Sequence, residues 1–282
     1  LLLFGIVRRG FAVVAIPVAL AAFFLVGQAA AVHTIAKAAR DYRNIPSLGA
    51  DANWLDAATP DDADVAFLFG SALGPDTDRV IGWETSFFNR RPFAALTWDT
   101  DIHADPLTGK LTTADGREPD LPPFVITPAT RQLAGPIRAY RAAYVLQEPT
   151  KPYTLALNAG GVYPDGWTGA SATIDVLPGA KDCRTATLTM SRPVGTGTTA
   201  VTVSVGRLQA TADGGVALAP GATPADASVS AGTSAEMGVD VPPPPARVQI
   251  DIATPFAPSA TGSPDTRQLG VQLHLVCGSL HL

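Results

Sequence analysis

The chain has 282 residues, of which 46% are hydrophobic, so it can bury a core large enough for one large domain or two small ones. Only 16% of the residues are charged and the net charge is -5, which leaves no basic stripe for a nucleic acid partner. Cys183 and Cys277 lie far apart, and this spacing fits neither a CxxC redox motif nor a zinc knuckle.

The first 40 residues predict a membrane segment. Residues 10–32 carry no charge, and a run of that length can cross a bilayer as a helix. Residues 8–9 are both arginine, and by the positive-inside rule they hold the N-terminus in the cytoplasm and place the bulk of the chain outside. Residues 1–7 are apolar too, which indicates the end of a preceding helix. We therefore expect a cell-membrane protein with the lipid bilayer as a partner; the alternative is a signal peptide cleaved near residues 29–31, which are all alanine.

Residues 41–150 predict a small extracytoplasmic α/β subdomain, because short helical and strand patterns alternate there. The expected elements are a helix at 50–58 with Trp54 and Leu55 inward, strands at 64–70, 93–98, 124–127 and 139–146, and a hairpin around 105–115. Residues 79–90 are expected to form a further helix or a loop.

Residues 151–282 predict an antiparallel, jelly-roll-like β-sandwich, because alternating apolar runs are divided by Gly, Pro, Asp and Ser. The runs lie at 153–159, 172–177, 185–191, 199–205, 248–252 and 269–276. Cys183 precedes one run and Cys277 ends the last, so we predict a disulfide; two unrelated buried thiols are the alternative. The fold class expected for the whole chain is α+β and mainly β, with an N-terminal transmembrane helix before the two extracytoplasmic parts.

The loop at 160–169 combines turn formers with two aromatic rings and a carboxylate. Aromatic surfaces beside a polar group can hold a sugar, so we predict that Tyr163, Asp165 and Trp167 bind carbohydrate. The alternative is a tight turn at Asp165 and Gly166, with both aromatic rings covering the sandwich core.

A second mixture of polar and aromatic residues lies at 83–90, where Trp83, Glu84 and Asn89 are further candidates for a carbohydrate cleft. The alternative is a helix that buries its aromatic side chains and exposes its charges.

Acidic residues alternate with other residues at 99–105, a spacing that suits Ca²⁺ or, with His103, a transition metal. The glycine and final glutamate of an EF-hand loop are missing, so we predict a solvated acidic loop, no metal site and no cofactor. The sequence has no Gly-x-Ser-x-Gly elbow and no HExxH helix, so no catalytic residue is predicted. A secreted hydrolase, as a further alternative, would need an acid pair, for which the sequence offers Glu84 with Asp99.

Six short strings occur together in this chain: ANWLD, DVAFLF, WE, SFFNR, GVYPDGWTG and DTRQLG, beginning at residues 52, 64, 83, 86, 161 and 265. In their order, and in their position after a transmembrane helix, they resemble the C-terminal extracytoplasmic region of large polytopic membrane proteins of high-GC Gram-positive bacteria. Those proteins are described as GT-C-type glycosyltransferase-like.

The resemblance implies a role in moving sugars from a lipid-phosphate carrier onto cell-envelope glycans, with a glycan or lipid-linked sugar as partner. In that architecture the catalytic carboxylate lies in an early external loop, and no such loop is expected here. The chain is therefore expected to be a non-catalytic region that binds or orients the acceptor. The alternative is an envelope structural or protein-interaction module that binds no sugar.

Overall fold

The computed structural model of the protein describes residues 53–70, 82, 85–86, 89–90, 93–141, 143–163, 165–261 and 265–282. The predicted membrane segment lies outside these residues, as do Trp83 and Glu84. Strands account for 52% of the structure, in several antiparallel sheets, which confirms a mainly β protein and is consistent with the predicted sandwich. No helix in the described ranges is both long and apolar enough to cross a bilayer.

The elements of the first half are, in chain order, α1 (Trp54–Ala58), β1 (Val65–Phe69), β2 (Phe93–Thr97), β3 (Ile102–Ala104), β4 (Leu111–Thr113), β5 (Phe124–Pro128), β6 (Arg131–Leu133), β7 (Ile137–Arg141) and β8 (Tyr144–Gln147). Those of the second half are β9 (Leu155–Val162), β10 (Thr168–Val176), β11 (Thr185–Ser191), β12 (Thr199–Ala210), β13 (Val216–Leu218), β14 (Thr223–Val229), β15 (Ser234–Asp240), β16 (Ala246–Ile252), a 3-10 helix (Pro258–Thr261), β17 (Gln272–Cys277) and β18 (Leu280–His281).

A five-stranded mixed sheet, in the order β2-β1-β5-β8-β7, forms the first half. β1 runs parallel to β2 and β5, whereas β8 is antiparallel to both of its neighbours. Trp54 and Leu55 of α1 pack with Phe67 on one face of β1, as the inward positions of the predicted helix require. Both faces of β1 are covered, which explains why its sequence is apolar without alternation.

The structure corrects the strand predicted at 139–146. That stretch contains parts of two strands, β7 and β8, which pair antiparallel as a hairpin. The predicted hairpin around 105–115 is present as β3 and β4, which flank its turn.

Two facing sheets form the second half. One has the order β13-β12-β16-β10-β9-β6, with β14 also paired to β12, and the other has the order β15-β11-β17-β18. Alternate residues of the strands at the centre of the two sheets enter one shared core, as in Leu188 of β11, Val203 of β12 and Ile250 of β16. This period of two is the pattern that a half-buried strand shows in its sequence.

The two halves are joined through β6, which lies between β5 and β7 in the chain but pairs with β9 of the sandwich. The buried amide of Gln147 binds the main chain of Leu133 in β6: it donates to the carbonyl oxygen (2.8 Å) and accepts from the N–H (2.9 Å). Leu133 also packs in a cluster that contains both Leu68 and Leu177. The mixed sheet and the sandwich therefore share part of their core.

The predicted disulfide between Cys183 and Cys277 is present, with the two Cα atoms 4.9 Å apart. Both cysteines are fully buried in the sandwich core. Beside the bond, Asp182 accepts a hydrogen bond from the backbone N–H of Ser279 (2.8 Å) in the turn between β17 and β18. The disulfide therefore fixes the last hairpin of the chain to the segment that leads into β11.

Candidate functional site

The loop between β9 and β10 is closed by its own main chain. The N–H of Tyr163 donates to the carbonyl of Trp167 (2.7 Å), and the N–H of Gly166 donates to the carbonyl of Tyr163 (2.8 Å). Gly166 has φ +80, a conformation that glycine adopts at little cost. The tight turn that the sequence offered as an alternative is therefore present, and it brings Tyr163 and Trp167 to the two ends of the turn.

Arg267 fixes this loop from outside. Its guanidinium binds both carboxylate oxygens of Asp165 (2.7 and 3.2 Å) and also binds Asp265 (2.7 Å). The guanidinium carbon lies 4.6 Å from the centre of the Tyr163 ring, which is close enough for a cation–π contact. The hydrogen bond from Arg267 lowers the pKa of Asp265, so this ion pair stays charged throughout the neutral range. Arg267 lies in the string DTRQLG, one of the six that carry the family resemblance, but the sequence did not predict a role for it.

Tyr163 lines a cleft of about 350 Å³, which we call the aromatic cleft. The cleft lies where the turn after β5, strand β7 and the β9–β10 loop meet β17 and β18. Its other polar or aromatic lining residues are Thr130, Tyr140, His274 and His281.

Tyr140 is the more exposed of the two tyrosines that line the aromatic cleft. It is 44% exposed, and its ring meets the ring of His281 edge to face at 5.6 Å between centroids. Partial burial raises the pKa of Tyr140 to about 12, so its hydroxyl remains protonated in the physiological range and can donate a hydrogen bond.

The strand pairing places the two histidines on the same face. His281 lies opposite Val276 in the β17–β18 hairpin, and His274 is two residues before Val276. The imidazole centroids are 6.4 Å apart. The side chain of Gln132 donates to the carbonyl of His281 and so holds the main chain of β18 against β6. None of Tyr140, His274 and His281 was predicted as a site residue.

Trp167 is not among the residues that line the aromatic cleft. Its half-buried indole meets Phe256 edge to face at 5.6 Å between centroids, and the guanidinium of Arg192 lies 5.1 Å from the centre of the Phe256 ring. The aromatic residues at the two ends of the loop thus have different surroundings: Tyr163 borders a cavity and Trp167 packs on another ring.

Asn89 holds helix α1. Its amide oxygen accepts the backbone N–H of Leu55 (2.9 Å) and of Asp56 (3.1 Å), and its amide nitrogen donates to the carbonyl of Thr85 (2.7 Å). The residue is 8% exposed. This is the capping that the first N–H groups of a helix require, here supplied from a distant part of the chain.

The alternating acidic residues at 99–105 bind backbone groups nearby in the chain or, for Asp99, an arginine of β6. Asp101 accepts the N–H of Thr97 (2.7 Å), Asp105 accepts the N–H of Thr108 (2.7 Å), and Asp99 pairs with Arg131 at 3.2 Å. Within the described ranges, no group of three or more His, Cys, Asp or Glu side chains is placed to hold a metal ion.

Comparison of the chain with models of protein families, with curated proteins and with solved structures gave no match. The chemistry of the aromatic cleft is therefore the basis on which a function is proposed.

Proposed function

We propose that the chain is the non-catalytic extracytoplasmic region of a cell-envelope glycosyltransferase-like membrane protein, and that its aromatic cleft binds the acceptor glycan. The observation that carries the proposal is the convergence of Tyr140, Tyr163, His274 and His281 on one concavity. A binding site needs such a concavity with apolar walls and a few placed polar groups.

The side chains of the aromatic cleft suit a sugar in two ways. The rings of Tyr140 and Tyr163 offer apolar faces against which the C–H groups of a sugar can lie. The hydroxyl of Thr130, the phenol of Tyr140 and the imidazoles offer hydrogen-bond donors and acceptors for sugar hydroxyls. Because the stack of Arg267 on Tyr163 holds one wall in place, little side-chain entropy is lost when a ligand binds there.

We expect Tyr140→Ala to weaken glycan binding about tenfold or more, because it removes both an aromatic face and a donor from the aromatic cleft. The thermal midpoint should change little, since nearly half of the side chain is already exposed. The full chain, purified in detergent, would be screened on an array of envelope oligosaccharides, and the affinity of the best ligand would then be measured by titration calorimetry for both proteins.

Trp167→Ala is the matched control variant for that experiment. Its indole packs on Phe256 and lies outside the aromatic cleft, so this variant should keep its glycan affinity while its thermal midpoint falls. The opposite pattern, with binding lost in Trp167→Ala and kept in Tyr140→Ala, would move the site to the other end of the loop. No binding of any oligosaccharide by the parent protein would refute the glycan function.

The topology of the proposal has its own test. A disulfide is typical of an oxidising compartment, which supports an extracytoplasmic position for residues 183–277. Because both native cysteines are bonded, Ser47→Cys would add the one free thiol of the chain. We expect that thiol to react with a membrane-impermeant maleimide in intact cells; labelling seen only after lysis would show the reverse orientation.

A further inference from the structure

Among the described residues, the outer edge of β15 presents main-chain groups that have no main-chain partner. In that part of the chain β15 pairs with β11 alone, and the N–H of Val241 donates to the carbonyl of Arg184 (2.8 Å) as the next step of that ladder. Bonded residues alternate along an antiparallel strand, so the N–H and C=O groups of Glu236, Gly238 and Asp240 face away from β11. Within residues 165–261 these outward groups have no main-chain hydrogen-bond partner.

Within its bounds, the neighbouring edge strand β14 carries a proline at an outward-facing position, whereas β15 carries none. The N–H of Ala253 donates to the carbonyl of Ala200 (3.0 Å), so even-numbered residues of β12 bond to β16 and odd-numbered ones bond to β14. Since Val203 pairs with Ala225, Pro224 occupies an outward-facing position of β14. Proline offers no N–H to an incoming strand, and it is common on edge strands, where it prevents further pairing.

The exposed edge of β15 is open to approach. A cavity of about 660 Å³ lies beside it, bordered by small residues of both edges, among them Ala222, Ala225 and Gly238. At Gly238, apart from its two chain neighbours, no heavy atom of the described residues lies within 4 Å of the place that a Cβ would occupy, so the exposed face of β15 is open at this position. The cavity beside the edge leaves room for one apolar side chain of an extended chain that pairs with the outward groups of β15.

Charge favours one kind of occupant. Glu236 and Asp240 flank Gly238 on the exposed face of β15. Among the residues that line the cavity, Arg207 is the one cation. Opposite charges directly across two strands stabilise their pairing and like charges destabilise it, so this edge disfavours a second copy of itself and favours a strand that carries Lys or Arg.

We propose that β15 is a docking edge, to which an extended cationic peptide segment of a partner protein adds as a further strand of the sandwich. Main-chain hydrogen bonds would supply affinity and alternate side chains would supply selectivity, as in other cases of strand addition. This role goes beyond glycan binding and uses a surface that shares no lining residue with the aromatic cleft.

The test uses the full chain in detergent and a soluble, fluorescently labelled octapeptide that alternates Val and Lys. Gly238→Pro should weaken binding at least about tenfold, because it removes one outward N–H and places a ring in the path of the added strand. Ser228→Pro is the matched control: it changes an outward position of β14 and should leave the affinity unchanged. Hydrogen exchange should slow at residues 234–240 when the peptide is bound.

A second set of peptides keeps the test independent of how well a proline variant folds. N-methylation of the peptide at alternate residues should abolish binding in one register and spare it in the other, because only one edge of the added strand pairs with β15. The same octapeptide with Glu in place of Lys should bind at least about tenfold more weakly. Equal binding of the Lys and Glu peptides, or no dependence on the methylation register, would overturn the proposal. A peptide-free dimer that Gly238→Pro dissociates would overturn it as well, by showing that the occupant is a second copy.

Discussion

Loss of the disulfide should lower the free energy of unfolding by about 4.7 kcal/mol in the chain-entropy description of a cross-link. The reason is the size of the closed loop, since Cys183 and Cys277 are 94 positions apart in the sequence. Without the bond the unfolded chain gains conformations, while the folded sandwich keeps most of its contacts. The measurement is guanidinium unfolding followed by tryptophan fluorescence, on the oxidised and the reduced protein.

The variant with both Cys183→Ala and Cys277→Ala separates the bond from the buried sulfur atoms. Reduction removes the bond alone, whereas the double variant also removes two buried sulfur atoms, so it should be at least as unstable as the reduced protein. A reductant should have no further effect on the double variant. If oxidised and reduced proteins unfold at the same denaturant concentration, the bond does not stabilise the sandwich.

The strands that sequence alone predicted well are those with strong alternation. β11 was predicted with the bounds that the structure has, because its apolar residues face one core and its polar residues face solvent. β14 and β15 were missed, because small and acidic residues give them a weak strand pattern. Each of them is held in the sheet by pairing with a longer or more central strand, an effect that a local pattern does not contain.

Part of the candidate site could be predicted from a local sequence pattern, and part could not. Tyr163 was found because it lies in a loop dense in turn formers and aromatic residues, which is a local signal. Tyr140 and His274 come from strands far apart in the chain, and they meet in one cleft only in the folded protein, where β7 of the mixed sheet and β17 of the sandwich both border it. The sequence did contain one signal for the histidines of the site. Two of them lie among the last nine residues, and His274 is at a polar position of an alternating strand.

The ion pair of Asp175 and Arg247 was missed because alternation assigns both residues to the outer face of the sandwich, where charged side chains are normally solvated. The structure covers them instead: the two side chains are only 6% and 13% exposed, and Arg247 also donates to the carbonyl of Val216 in β13 (3.2 Å). Alternation in the sequence thus predicts a solvated pair, whereas the fold buries it.

Asp175→Ala should destabilise the fold by about 3 to 5 kcal/mol, because it leaves the guanidinium of Arg247 buried without its counter-charge. In the native protein the two residues lie directly opposite each other on β10 and β16, and the guanidinium binds both carboxylate oxygens at 2.6 and 2.9 Å. Replacing both partners, as Asp175→Leu with Arg247→Met, should recover most of that loss, since no unpaired charge remains in the double variant.

The exposed pair of Arg138 and Glu148 supplies the control for that experiment. Its atoms approach to 2.7 Å, as closely as those of the buried pair, but the side chains are 49% and 32% exposed. Water already solvates both charges there, so Arg138→Ala should cost less than about 1 kcal/mol. Guanidinium unfolding would be measured for the parent protein, Asp175→Ala, the double variant and Arg138→Ala. Equal losses of stability in Asp175→Ala and Arg138→Ala would show that burial by β13 does not set the strength of the pair of Asp175 and Arg247. A double variant no more stable than Asp175→Ala would show that the loss comes from packing and not from an uncompensated charge.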